Sequence, residues 1–121
     1  MWTLLRNGGY PPMLFILLTG LVGLAASCHF ALRALPTSFG FIKTMMLATL
    51  FGTLAASCAD EGTTLYAAAR TFPDTTQALQ MVLQGTAEST SPGILGFSLL
   101  GLTAMLTAVG RRRAAGRASS I

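Results

Sequence analysis

Three apolar runs, each about twenty residues long and bounded by charge or proline, leave this chain few ways to fold. The first is roughly 11–31, with the core MLFILLTGLVGLAASC. The second is roughly 39–59, FGFIKTMMLATLFGTLAASCA. The third has the core GILGFSLLGLTAMLTAVG, from Gly93 to Gly110, and extends back to Ala78 if Ala78–Leu83 is also helical. About 20 apolar residues cross a hydrocarbon core, and only a helix satisfies its own backbone there. Composition agrees. Of 121 residues, 52% are hydrophobic and only 10% charged, against about 25% charged in a soluble domain. The expected fold is therefore all-α, a three-transmembrane-helix integral membrane protein. It forms a single membrane domain, 1–121, with spans at about 11–31, 39–59 and 78–110. An outer loop is expected at about 60–77 and a basic tail at 111–121.

Charge sets an expected orientation. Basic residues collect on the cytoplasmic side of a membrane. With the N-terminus outside, Arg33, Lys43, Arg111, Arg112, Arg113 and Arg117 fall inside, six of the eight basic residues. Arg6 and Arg70 fall outside, beside Asp60, Glu61 and Asp74. The net charge of +4 thus reads as a topology signal. No aromatic-and-basic surface suited to nucleic acid accompanies it.

Two features resemble other signals. Arg6, an apolar run and LAASC ending at Cys28 look like a lipoprotein signal, but HFALR follows where a polar linker is usual, so no processing is expected. The same string recurs at Leu54–Cys58, and Leu18–Cys28 looks like a repeat of Ala48–Cys58. Consecutive spans run in opposite directions, so small residues at helix contacts explain the likeness better. That topology also places Cys28 and Cys58 at opposite faces, about 25–30 Å apart. A disulfide needs Cα atoms within about 7 Å, so none is expected. One His and two distant Cys make a poor metal site, and neither metal nor cofactor is expected.

Glu88 stands out, in LQGTAESTSPGILG. If the third helix begins near Thr76, Glu88 lies about three turns in. An acid inside a span costs roughly 2.5–3.5 kcal/mol and must face helices or water. If the helix begins instead at Ser91-Pro92, Glu88 lies in an exposed loop, and proline suits a first turn. Thr49, Thr53, Ser57 and Glu61 recur every fourth residue on one face of the second span, with Asp60 beside them. That face either lines a polar path or packs closely on a neighbour. Thr19, Gly23 and Ser27 on span one, and Gly93, Gly96 and Gly101 on span three with Phe97 in the same stripe, are positions expected at helix contacts, within the chain or in a homo-oligomer. No nucleophile–base set, phosphate loop or ligand cluster marks an enzyme.

Several of these strings resemble the MotA/TolQ/ExbB proton-channel family, most closely its TolQ/ExbB branch. Asn7-Gly8-Gly9 followed by Pro12-Met13 looks like that family's first span. Leu50-Phe51-Gly52-Thr53-Leu54 resembles its second-span string. Gly85-Thr86-Ala87-Glu88, with Gly96 eight residues after the acid, resembles its third. The resemblance implies a multi-pass subunit of a bacterial inner (cytoplasmic) membrane. Such subunits form pentamers around a pair of single-span partners resembling ExbD or TolR. It implies a proton path lined by Glu88 and Thr53, and the residue spacing adds Thr49 and Ser57. Asp60 and Glu61 are expected to admit protons from outside. The chain departs from the family in four ways. It lacks the large insertion between spans one and two, Gly93 replaces a threonine, Leu102 replaces a proline, and Pro92 falls where the family has none. The missing insertion and Gly93 favour an alternative, a non-conducting structural subunit of a larger membrane complex. A holin-like, lesion-forming protein is a third reading, since such proteins are also short, multi-span and basic at the C-terminus.

Overall fold

The computed structural model describes residues 10–33 and 38–120. Arg6, the Asn7-Gly8-Gly9 start and 34–37 of the first connection lie outside them. Among the described residues every regular element is a helix. Helix α1 is Tyr10–Arg33, α2 is Ser38–Thr71 and α3 is Thr75–Ala118, with 24, 34 and 44 residues. At 1.5 Å per residue they measure roughly 36, 51 and 66 Å, against a hydrocarbon core of about 30 Å. Each is long and apolar enough to cross a membrane, the best stretches having mean hydropathies of 2.0, 1.5 and 1.8. Large apolar side chains face outward all round, among them Leu18, Leu21, Phe51, Leu54, Ile94 and Met105. Such a surface is unstable in water and suited to lipid. The protein is a three-span membrane protein.

Each helix packs on the other two. Gly52 meets Phe15, Gly23 meets Met45, and the hydroxyls of Thr19 and Thr49 lie 3.1 Å apart, so α1 and α2 are antiparallel. Gly96 meets Thr53 and Gly85 meets Thr64, so α2 and α3 are antiparallel too. Gly20 meets Leu99 and Gly110 meets Phe30, which makes α1 and α3 parallel. The buried positions of α1, namely Met13, Ile16, Gly20, Gly23, Ser27 and Phe30, recur every three or four residues, one helical face. On α3 the buried stripe runs from Gly85 through Ser89, Pro92, Gly96 and Leu99 to Thr103. Small residues here let backbones approach, and dispersion between close helices replaces the hydrophobic drive that lipid removes.

The stretch expected as an outer loop, 60–77, is helical except for Phe72–Asp74. It is polar, but apart from Gly62 its Asp60–Thr71 part holds no breaker, and alanines favour the helix. Pro73 ends α2, because a helical conformation is disfavoured before proline and the ring has no N–H to donate. Asp74 starts α3, its carboxylate accepting from the Thr76 backbone N–H at 3.3 Å. Beyond the first described turn of α1, α2 and α3 therefore continue together as a helical hairpin. Its seam is Ala68 and the Gly85–Thr64 contact. Pro92 does not start a helix. It sits buried inside α3, and its missing N–H frees the carbonyl of Glu88. The C-terminal tail continues α3 as far as Ala118.

At the opposite, basic end, α3 closes the open end of α1. The last carbonyls of a helix have no partner within it. Arg113 Nη1 donates to the Ala31 carbonyl and Arg117 Nη1 to the Arg33 carbonyl, both at 3.1 Å. The arginines are four residues apart, so one face of α3 caps two positions of α1. Replacing both with alanine should fray the last turn of α1. Hydrogen exchange of amides near Arg33 is expected to quicken by about tenfold, as for a loss of about 1.4 kcal/mol, while amides near Thr19 stay protected. Unchanged exchange near Arg33 would mean that the caps contribute nothing.

Candidate functional site at the acidic end

The four acids of this chain, Asp60, Glu61, Asp74 and Glu88, all lie toward one end of the bundle. Asp60 and Glu61 of α2 come level with Glu88 on α3, one turn before the Thr64–Gly85 contact, and Asp60 shares the face of Thr64. The Glu88 carboxylate is a like-charged neighbour of Asp60. Asp60 is half-buried, and its Oδ2 is buried without a hydrogen-bond partner. Glu88 and Glu61 are exposed. Gln84, one turn before Glu88, donates from Nε2 to Glu88 Oε1 at 3.4 Å. A shallow groove of about 210 Å³ lies beside Glu88 and Gln84, lined also by Thr64, Met81 and Gly85.

The hydroxyls expected to share a face with Glu88 lie elsewhere. Thr53 is 0% exposed and stacks on Gly96, eight residues from Glu88 along α3. That separation is about 12 Å along the axis. The Thr53 hydroxyl donates to the Thr49 carbonyl at 2.7 Å. Thr49 is 1% exposed. A threonine hydroxyl has one proton. With Thr19 donating to the Phe15 carbonyl at 2.9 Å, Thr49 can donate across to Thr19. Thr103 and Thr107 close onto carbonyls one turn back, at 2.8 and 2.7 Å. Ser57 is half-buried. Within one chain, then, the interior hydroxyls are satisfied and packed. The structure brings Asp60, not Thr53, to Glu88.

No family model, curated protein or solved structure matches this chain.

The small residues divide by face. Thr19, Gly23 and Ser27 do line the inner face of α1, half-buried or buried. Gly96 is a true contact of α3. Gly93 and Gly101 turn away from it: a Cβ at Gly93 would touch only Phe97 of its own helix, and one at Gly101 nothing within 4 Å. Gly85 and Gly110 hold close contacts as Gly96 does, and their spacing from Gly96, three and four helical turns, is the signal that marks them. Gln84 carries a weaker signal, an amide one turn before the acid. Cys28 and Cys58 are both free and exposed, near opposite ends of the bundle. Among the described residues no three His, Cys, Asp or Glu side chains stand together as a metal site.

Proposed function

We propose that this chain is a subunit of an oligomeric proton channel or proton-driven motor in a bacterial inner membrane, with Glu88 as its proton-carrying group. The observation that supports this reading is the setting of Glu88. It is exposed, on an unbroken helix and level with Asp60, so a face carrying an ionisable group is left open beside the membrane. Level with the first described turn of α1, Glu88 stands at the edge of the span, where a carboxyl can take up a proton from water and release it. In this reading Asp60 and Glu61 admit protons from outside. The path then runs between copies of the chain, because Thr49 and Thr53 are packed inside each one. A pentamer around a single-span ExbD- or TolR-like partner follows from the resemblance alone.

The same packing favours a second reading, a structural subunit that does not conduct. Thr53 sealed on Gly96, away from Glu88, is what a close helix contact needs. Proton flux into liposomes separates the two, with the single-span partner co-reconstituted. Under the first reading Glu88→Gln should lower flux at least tenfold while the oligomer keeps its mass, since an amide cannot exchange a proton as a carboxyl does. Equal flux in both proteins, or none in either, would leave the structural reading standing.

A further inference from the structure

On the basic half of the bundle, α2 and α3 leave an open groove of about 490 Å³ on the lipid-facing side. Its walls are two stripes of one helical face each: Met46, Leu47 and Leu50 on α2, and Phe97, Gly101 and Ala104 on α3. Gly101 opens it, for no atom lies within 4 Å of where its Cβ would be. Lys43 stands at the mouth. One turn further out, Arg111 lies over the Phe39 ring at 5.3 Å from its centre.

Among the described residues no acidic side chain lies within reach of Lys43. The nearest acid along α2 is Asp60, seventeen residues on, or about 25 Å. Glu61, Asp74 and Glu88 lie at the same far end. A second copy packed parallel to the first, as in any ring, brings no Asp or Glu side chain to this depth. An anion for Lys43 must come from outside the protein.

We propose that this groove binds an anionic glycerophospholipid, one acyl chain lying along Phe97, Gly101 and Leu50 and the phosphate resting on Lys43 and Arg111. The size is that of a ligand site, within about 300–1,000 Å³. Basic side chains at the edge of a bilayer attract anionic headgroups, and the lysine stem lets its ammonium reach outward to them while its carbons line the groove.

The test is native mass spectrometry of the intact protein released from micelles containing dioleoyl phosphatidylglycerol or dioleoyl phosphatidylcholine. Wild type is expected to retain one phosphatidylglycerol and no phosphatidylcholine. Lys43→Gln should weaken retention about tenfold by removing the charge. Gly101→Leu should do the same by filling the groove. Neither variant meets a steric barrier to folding, and helical circular dichroism should match wild type. Equal retention of both lipids would overturn the headgroup assignment. Undiminished retention in Gly101→Leu would overturn the groove as the site. A changed oligomeric mass in Gly101→Leu, with lipid still bound, would show that a second copy covers the groove and would overturn the proposal.

Discussion

Replacing Gly96 with leucine should pull the bundle apart at its centre. A Cβ at this position would stand 2.7 Å from Thr53 Cγ2 and 2.8 Å from Thr53 Cβ. Rotating the Thr53 side chain moves Cγ2 but not Cβ, so the backbones of α2 and α3 must separate. Separation loosens the contacts on either side, Gly85 on Thr64 and Gly20 on Leu99. Overpacking alone costs about 1–3 kcal/mol and occasionally more, and here the expected loss is about 3 kcal/mol. The midpoint of unfolding by sodium dodecyl sulfate, followed by circular dichroism in mild micelles, measures it. Gly101→Leu is the control: its side chain meets open space, and an exposed helical glycine is the poorer helix former by about 1 kcal/mol, so its midpoint should hold or rise. Thr53→Gly should recover part of the loss in Gly96→Leu, because it removes the clashing Cβ. Equal midpoints for Gly96→Leu and wild type would mean that α2 and α3 do not meet at this residue.

Changing Arg111, Arg112, Arg113 and Arg117 together to glutamine should randomise how the chain sits in the membrane. The orientation inferred from charge places these four with Arg33 and Lys43 inside, against Arg6 and Arg70 outside. Without them the sides are equal: 6 − 4 = 2 basic residues inside and 2 outside. The bias within short flanking segments sets orientation, and acids contribute little. A single cysteine at Ser119, with Cys28 and Cys58 changed to alanine, reports it through a thiol reagent that cannot cross the membrane. Intact cells should leave the parent unlabelled and label about half of the variant, as balanced signals imply. Labelling of the parent from outside would reverse the proposed orientation. A variant that stays unlabelled would assign the signal to Arg33 and Lys43. Glutamine keeps donors at positions 113 and 117, so the capping of α1 is disturbed less than by alanine.

The fold and the candidate site differ in how far they could be read from the residues. Three apolar stretches and their charged ends are properties of composition along the chain, and a bilayer turns them directly into three helices. That part was decided by the sequence. Which face of each helix turns inward was not. In water the buried face is the apolar one, but here lipid and interior are equally apolar. Gly93 and Gly101 therefore look no different from Gly85, Gly96 and Gly110 until the helices are docked. The helical hairpin was hidden for a related reason: polarity in Asp60–Thr71 reads as a loop, while the absence of proline, the alanines and the Ala68 seam make it a helix. Glu88 and Asp60 are 28 positions apart (88 − 60), and only the antiparallel register of α2 against α3 brings them level. Local chemistry fixed the spans, because backbone hydrogen bonding in lipid is satisfied residue by residue. Tertiary packing chose the partners of Glu88, Thr53 and Lys43, because rotation and register depend on contacts between distant segments.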